Sequence, residues 1–491
     1  MSPTSTEYVR DVGRGGLPAR RVVAATTAVL LIVVGASIVA LSHHKSRGLL
    51  VRSGGAGGPS QPADPPANSA PADGEAPPVS VRHLVVPPAT VPPVTVPHVT
   101  VPSLPIPPLP KLPVSVPPLR DCPSSWSQFR RSSAHDGRNA LECRLSPATV
   151  GRLRPAWQTH LGAGGGVALS SPAVLAGVAY VGSLDHRLYA LNAETGAVAW
   201  SQPTGGEIES SPAVGMGKVF VGSGDGKEYA FDAASGTPAW SFDTSRDGRT
   251  NGSVEASANV VGDTVFVASN RESLSALNVA SGVPRWVRAE PRSYDSSPAV
   301  VGTLMVVGSN SDGLDNGGRS LWAYDTMTGA VSWSHVFGYI VEASPTISGG
   351  TVYVPDNGGT MHALDLATGA SVWDIALSQG ESIFSSPAVD DAQVYVASQA
   401  GRLFALDPRS GRVAWQHDLG SITLSSPAIA GGLVFIGSRA GQLVALDASN
   451  GRVAWSYDLG APVDSSPSVV NGTVYVASGG SAPKLWAFRL S

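Results

Sequence analysis

The chain has 491 residues, including 56 Gly and 40 Pro, and only 14% of its residues are charged. So few charges exclude a charge-rich helical protein. Residues 155–491 hold 17 Lys and Arg against 29 Asp and Glu, and this acidic balance argues against nucleic acid as a partner.

The first predicted element is the apolar run VVAATTAVLLIVVGASIVAL, from Val22 to Leu41. A helix of this length spans the roughly 30 Å hydrocarbon core of a bilayer. We therefore predict a short cytoplasmic tail over residues 1–21 and a transmembrane signal-anchor over 22–41. The rest of the chain is then expected outside the cytoplasm, held at the cell membrane. A cleaved signal peptide is the alternative, although the run is long for the apolar part of such a peptide.

Residues 42–120 are rich in Gly and then in Pro. Proline at every second or third position forbids a helix and favours the extended polyproline II conformation. We predict a disordered or polyproline II stalk that acts as a semi-rigid spacer. A docking site for proline-binding domains is the alternative, but Val and Thr dominate between the prolines and give such a domain little to recognise.

Residues 121–154 are predicted to form a short N-terminal arm with six arginines. This basic arm is expected to pack against the acidic body, and recruitment of an anionic partner is the alternative. Both cysteines of the chain, Cys122 and Cys143, lie in the arm. Export favours an oxidising compartment, so we predict a structural disulfide between them, with two free thiols as the alternative.

Two motifs repeat along residues 155–491. The pattern Ala-x-Asp/Asn-x-x-Thr/Ser-Gly-x-x-x-Trp is met seven times between residues 190 and 455, with Asn450 in the Thr/Ser slot of the last copy. A stretch like Ser-Ser-Pro-Ala-Val precedes each copy and occurs once more at 465–469. The motif tryptophans follow one another at intervals of 40–47 residues. A period of this length, built of short alternating strands, is typical of propeller blades.

Each repeat fits four antiparallel strands, A to D, with SSPAV as strand A and the tryptophan in strand D. The eighth repeat lacks strand D, whereas RPAWQTHLG near residue 157 resembles a strand D without a repeat before it. We therefore predict an all-β, eight-bladed propeller of four-stranded antiparallel blades that is closed by its N-terminal strand. The motif tryptophans are predicted to dock neighbouring blades together: Trp157, Trp200, Trp240, Trp286, Trp333, Trp373, Trp415 and Trp455.

Acidic residues precede strand A in five of the eight repeats: Glu209, Glu255, Asp295, Glu342 and Asp464. Because strand A is predicted to be innermost, these side chains should crowd one mouth of the channel. Two long loops open on the same face, and the second adds Asp312, Asp315 and Asn316. Crowded carboxylates favour a bound cation such as calcium, or a basic partner. A water-filled funnel with solvated acids is the alternative.

These repeats resemble the pyrroloquinoline quinone (PQQ) propeller repeat over residues 155–491. The lead-in SWSQFRRSSAHDGRN, followed by LSPATVGRLRPAW, is similar to the segment before the propeller in polyvinyl-alcohol-dehydrogenase-like members. The resemblance implies one of two functional classes. Quinoprotein dehydrogenases hold PQQ and calcium at the channel mouth, whereas non-catalytic propellers serve as sensors or as scaffolds, as in bacterial outer-membrane β-barrel assembly.

Several features depart from the dehydrogenases. The sequence has no vicinal cysteine pair in the propeller and no C-x-x-C-H haem motif, and most blades are near the minimum length. We therefore assign no catalytic residue and predict a membrane-anchored scaffold that binds an extracytoplasmic protein or a small ligand at the mouth. The alternative is a PQQ- and calcium-dependent dehydrogenase without its own haem domain. Calcium stays open as a cofactor, and PQQ is not expected.

Overall fold

The computed structural model describes residues 125–162, 169–245, 252–270, 273–289, 292–309, 319–378 and 380–491. None of the helices in this part of the chain is long and apolar enough to span a bilayer. The predicted anchor at 22–41 and the predicted stalk at 42–120 lie outside the described residues, as does Cys122.

Two short elements in the described arm precede β2. The arm contains β1, and a single turn of 3-10 helix leads into β2: β1 Arg138–Asn139, helix Val150–Arg152 and β2 Leu153–His160.

Blades 1 to 4 each consist of four consecutive strands, lettered A to D in chain order. Their bounds are β3 Ala173–Leu175, β4 Val178–Ser183, β5 Arg187–Asn192 and β6 Val198–Pro203; β7 Ala213–Gly215, β8 Lys218–Gly222, β9 Lys227–Asp232 and β10 Pro238–Asp243; β11 Asn259–Val261, β12 Thr264–Ser269, β13 Ser273–Asn278 and β14 Pro284–Ala289; β15 Ala299–Val301, β16 Leu304–Ser309, β17 Ser320–Asp325 and β18 Val331–Val336.

Blades 5 to 7 repeat this plan, and blade 8 has three strands of its own. Their bounds are β19 Thr346–Ser348, β20 Thr351–Pro355, β21 Thr360–Asp365 and β22 Ser371–Ala376; β23 Ala388–Val389, β24 Val394–Ala397, β25 Arg402–Leu406 and β26 Val413–Asp418; β27 Ala428–Ala430, β28 Leu433–Gly437, β29 Gln442–Asp447 and β30 Val453–Asp458; β31 Ser468–Val470, β32 Thr473–Ser478 and β33 Lys484–Leu490.

The protein is an all-β, eight-bladed propeller, because each blade contains four antiparallel strands in the order A-B-C-D. In blade 7, β1 of the arm adds a fifth strand that runs parallel to β27. Blade 8 takes its strand D from the N-terminal side of the ring: β2 pairs antiparallel with β33, and Trp157 lies opposite Ala487. The first and last segments of the propeller therefore share one sheet, so the ring closes without leaving β33 as an exposed edge.

A circle of serines joins the blades at the centre. The backbone N–H of the second serine in each SSPAV-like motif donates to the side-chain oxygen of the equivalent serine in the next blade, at 2.9–3.1 Å. The eighth bond, from Ser466 to Ser171, closes the circle. Regular strand A begins only after the proline of the motif. The Ser-Ser pair, predicted as part of the strand, instead links neighbouring blades.

The motif tryptophans lie between blades. In seven of them the indole N–H donates to a backbone carbonyl of the next blade, at 2.8–3.2 Å. Trp455 packs against Phe488 of blade 8, with 5.4 Å between ring centroids. The motif glycine of the next blade lies under the ring of each of the other seven tryptophans; Gly236, for example, has φ +73°, and a Cβ there would collide with Trp200.

Candidate functional site

The two ends of the central channel have different architectures. At one end the loops joining strand D to strand A pack on the loops joining strands B and C; for example, Ile208 N–H donates to Ser183 O at 3.1 Å, and Gly224 N–H donates to Glu207 O at 2.8 Å. The tight A–B turns lie at the other end of strands A and B. The acidic residues that precede strand A therefore lie at the first end.

We use the term acidic mouth for Glu209, Glu255, Asp295 and Glu342, which come from blades 2 to 5. All four side chains are half-buried. Three of them are close enough for their charges to interact, because Glu255 raises the pKa of both Glu209 and Glu342. The structure thus brings together three glutamates, of which the first and the last lie more than 130 residues apart in the chain.

Burial is the main cause of the raised pKa values in the acidic mouth. Burial, with the charges of Glu255 and Glu207, raises the pKa of Glu209 to about 7. The pKa of Glu255 is also raised by burial, although the Ser253 hydroxyl donates to its Oε1 at 2.6 Å and opposes the shift. At neutral pH the mouth therefore holds a mixture of protonated and ionised carboxyl groups.

Asp295 follows the fully buried Tyr294, whose hydroxyl forms a hydrogen bond with the hydroxyl of Tyr324 at 2.9 Å. This tyrosine pair packs between blades 3 and 4 and belongs to their shared apolar cluster. Asp295 therefore lies next to a residue that is packed between two blades.

Asp464 of blade 8 differs from the acidic mouth, because it has a cationic partner. The Arg439 Nε donates to both of its carboxylate oxygens, at 3.2 and 3.1 Å. Burial raises the pKa of Asp464, and the Arg439 charge opposes that shift. The position of Asp464 in the repeat predicts that it belongs with the other acids, whereas the structure places it in an ion pair whose carboxylate side chain is fully buried. Asp312, Asp315 and Asn316 lie outside the described residues.

Polar residues of the B–C loops, which the sequence analysis did not single out, line the same end. Asn270 Nδ2 donates to Ser253 Oγ at 2.7 Å and to Glu255 Oε1 at 3.4 Å. Asn357 forms a side-chain hydrogen bond with Glu342 that opposes the rise of its pKa. Asn270, Asn357 and Arg439 hold the same position of the repeat, at the start of a B–C loop. This shared position was the signal available in the sequence.

The N-terminal arm closes the other end of the channel. It contacts strand A of all eight blades in chain order, through one hydrogen bond or more to each. The contacts are Trp126 with Val174, Ser127 with Val214, Gln128 with Val260, Ser133 with Val300, Ala134 with Ile347, Asp136 with Val389, Gly137 with Ile429, and Asn139 with Val469. The inner edge of strand A is thus bonded to the arm.

Arg130 fixes the arm in the channel. Its side chain is fully buried, and the guanidinium donates to Pro387 O at 2.7 Å and to Pro427 O. Burial lowers the pKa of Arg130 to about 9, so it remains a cation at neutral pH. The basic arm therefore packs inside the acidic body, and the acidic mouth is the end that the arm leaves open.

The described part of the arm also contains Cys143, which is disulfide-bonded. Its predicted partner Cys122 lies outside the described residues, so the pairing stays a prediction. The hydroxyl of Thr149 and the carboxylate of Glu142 hold the neighbouring backbone through hydrogen bonds of 2.8–3.1 Å. This segment is therefore ordered by local polar contacts as well as by the covalent link.

A calcium ion bound by side chains needs several oxygen ligands that converge within about 2.5 Å of the ion. Within the described ranges, no three His, Cys, Asp or Glu side chains are grouped closely enough to hold a metal ion. The glutamates of the acidic mouth interact through their charges without forming such a cage. We derive no chemical step through a calcium–quinone centre.

Comparison with solved structures shows the fold. The quinohemoprotein alcohol dehydrogenase ADHIIG from Pseudomonas putida HK5 is 18% identical, with a TM-score of 0.67 over 75% of this chain and 80% of that chain. The quinohemoprotein alcohol dehydrogenase from Comamonas testosteroni is 17% identical, with a TM-score of 0.65 over 74% and 80%. BamB from Moraxella catarrhalis is 21% identical, with a TM-score of 0.56 over 68% and 99%. No curated protein matches the chain.

One family model covers the propeller from end to end. The family described as outer membrane protein assembly factor BamB matches residues 150–314, 290–426 and 405–490. These matches span all eight blades and include β2, which completes the last one. The chain belongs to this PQQ-like repeat β-propeller family.

Proposed function

We propose that this propeller is a membrane-tethered, extracytoplasmic scaffold that binds a basic segment of a partner protein at the acidic mouth. The observation that carries the proposal is the group of three interacting glutamates, Glu209, Glu255 and Glu342, held half-buried at one end of the channel. The tether is the predicted anchor at 22–41.

The charge balance of the mouth favours a cationic guest. Each glutamate is held partly out of water beside another acid, so ionising all three together is unfavourable. A lysine or arginine side chain inserted between them would neutralise this repulsion and favour their ionised forms. Such complementarity contributes to both the rate and the specificity of protein association.

The shape of the channel supports a guest that enters from one side. The arm fills the end opposite the mouth and bonds to every strand A. A partner segment would therefore enter as a tip or a loop and would not thread through the ring. A scaffold role is also supported by the family description, which names an assembly factor.

The test is a calorimetric titration of the full-length chain with hexalysine as the probe. We expect the variant Glu209→Gln, Glu255→Gln, Glu342→Gln to bind at least tenfold more weakly than the parent, because the three paired charges are lost. A matched control, Glu194→Gln, Asp263→Asn, Asp391→Asn, removes three acids from exposed turns and should bind like the parent. Equal weakening in both variants would show that net charge alone draws the peptide, and would reject the mouth as the site.

A second candidate function is a quinoprotein dehydrogenase, which the likeness to two quinohemoprotein alcohol dehydrogenases favours. The purified chain would be mixed with PQQ and calcium, and its absorption spectrum and alcohol-dependent dye reduction recorded. The scaffold proposal predicts neither a bound quinone chromophore nor dye reduction. Both signals together would replace it with the dehydrogenase.

A further inference from the structure

Glu228 is a buried acid outside the acidic mouth. It lies in β9, its side chain is fully inaccessible, and neither carboxyl oxygen has a hydrogen-bond partner within the described part of the chain. A carboxyl group in such a place is costly, because buried polar groups normally have a partner. Its presence there therefore calls for a reason beyond packing.

The other seven blades place an apolar side chain at the same position. Glu228 is the second residue of strand C, and the equivalent residues are all fully buried leucines or methionine: Leu188, Leu274, Leu321, Met361, Leu403, Leu443 and Leu485. The fold itself thus requires an apolar residue here. Blade 2 alone substitutes an ionisable group.

Glu228 faces the interface between blades 2 and 3. In the sheet of blade 2 it lies opposite Gly222 and Phe242, and Phe242 packs against an apolar cluster that joins the two blades. A Cβ on Gly222 would collide with Val254, the residue of the D–A loop that enters blade 3. Val254 N–H also donates to Ser223 O at 3.0 Å. Glu228 therefore lies on the side of blade 2 against which this loop is packed.

The hydroxyl of Thr244, the residue that follows β10, does not form a hydrogen bond with Glu228. In five other blades the residue at the Thr244 position is apolar and joins the same cluster as the strand C leucine or methionine. In blade 2 this residue is Thr244, and its Oγ1 donates to Gly226 O at 2.8 Å and shares a 3.0 Å hydrogen bond with Ser269 Oγ. The hydroxyl is thus engaged elsewhere.

We infer that Glu228 holds a proton in the folded ring, and that losing this proton loosens the contact between blade 2 and the D–A loop that enters blade 3. A protonated carboxyl is a small polar group that the interface tolerates. An ionised carboxylate would bind water or move outward. Either change would displace the loop that packs there at Val254.

Within the described residues, no cationic side chain pairs with the Glu228 carboxyl group. The described titratable groups on the elements packed around Glu228 are Lys218 of β8, Lys227, Tyr229 and Asp232 of β9, Asp225 of the B–C loop before β9, Asp243 of β10 and Glu255 of the D–A loop, and β12 carries none. The pKa of Glu228 is raised well above its usual value of 4.5, and burial is the cause. The protonated state is therefore the one that the fold favours.

Glu228 is also linked to the acidic mouth through the D–A loop, a link that rests on the proposed function. Glu255 directly follows Val254 in the chain, so a displaced loop would move one of the three interacting glutamates. Loss of the proton from Glu228 at alkaline pH should then weaken binding at the mouth. The inference about the interface itself does not depend on any ligand.

The test is urea unfolding of the full-length chain between pH 5 and pH 9. Because the folded state keeps a proton that the unfolded state loses above about pH 4.5, stability falls as pH rises toward the raised pKa of Glu228. One retained proton changes the folding equilibrium constant tenfold per pH unit. As pH rises, the folding equilibrium constant of the parent should therefore fall by up to tenfold more per pH unit than that of Glu228→Leu. The other raised acids are present in both proteins and cancel.

Two further variants make the result decisive. Glu228→Gln should show the same reduced slope as Glu228→Leu even if its stability is lower throughout. Leu403→Glu, which places an acid in the equivalent position of blade 6, should lose stability with rising pH more steeply than the parent. If the parent and Glu228→Gln lose stability with pH at the same rate, the inference is wrong. If the stability slopes differ as expected but Glu228→Leu does not change hexalysine binding at pH 9, the inference about the interface is retained and its link to the acidic mouth is rejected.

Discussion

Asp464 and Glu342 hold equivalent positions before strand A, yet their surroundings differ. Asp464 receives two hydrogen bonds from Arg439, whereas Glu342 has the neutral Asn357 as its partner. The residue at one position of the B–C loop thus decides whether the acid is neutralised within the protein or left to attract a guest. The charge of each site is set by its partner and not by its place in the repeat.

The ion pair of Arg439 gives a residue-scale prediction. Arg439→Met should destabilise the fold by about 3 kcal/mol at pH 7, because it leaves the buried Asp464 carboxylate unpaired. The cost should shrink on acidification, since protonation removes the buried charge. Urea unfolding at pH 7 and pH 5 measures both values.

The matched control is Arg402→Met, which breaks the more exposed pair with Glu381. This substitution should cost less than about 1 kcal/mol. Equal costs for the two variants, or a cost for Arg439→Met that does not change with pH, would contradict the assignment of Asp464 as a buried ionised partner.

At the scale of the element, the turn before strand D couples a backbone requirement to a packing requirement. Gly236 has φ +73°, and its missing Cβ makes room for the Trp200 ring. The preceding Asp232 accepts two backbone and one side-chain hydrogen bond in the same turn. The repeated Asp, Ser and Gly are thus turn residues that position the strand and receive the tryptophan of the previous blade.

Two glycine substitutions separate these requirements. Gly217 has φ +75° with open space around it, so Gly217→Ala should cost about 1–2 kcal/mol from backbone strain alone. Gly236→Ala adds the displacement of Trp200 and should cost about 2 kcal/mol more. Thermal melting of both variants measures the difference, and similar costs would show that the tryptophan contributes little to blade docking.

The repeated elements were predictable from the sequence because repetition exposes them. Glycine and tryptophan recur at fixed offsets, so the turns, the strands and the closing strand at Trp157 followed from counting. The arm could not be predicted in the same way. Its contacts, such as Asn139 with Val469, join residues 330 apart and occur once each. Glu228 was missed because a charged residue in KEYAFD looks like the outward-facing position of an alternating strand.

The candidate site was predictable only in part. Aligning the residues before strand A found the glutamates, since the ring places equivalent positions at one end. The same alignment included Asp464, because a sequence does not show that Arg439 folds back onto it. The loop partners Asn270 and Asn357 also escaped notice, because asparagine is common in turns for purely local reasons.

At the scale of the whole molecule, three concentric features hold the ring. Tryptophans join the blades on the outside, the serine circle joins them near the centre, and the arm bonds to all eight strands A within the channel. The arm and β2 belong to one continuous N-terminal segment, so this segment both closes the ring and fills one end of it. Among the described residues, the arm leaves the end with the acidic mouth unfilled.

The central claim is that a cationic group binds beside the glutamates of the mouth, and proton release measures this most directly. Glu209, with a pKa of about 7, is roughly half protonated at pH 7, and a bound lysine would lower that pKa. Calorimetric titration with hexalysine in buffers of different ionisation enthalpy should show a release of up to about half a proton per ligand. The release should be smaller in Glu209→Gln, because Glu209 no longer contributes a proton. Binding without proton release, or the same release in Glu209→Gln, would contradict the account.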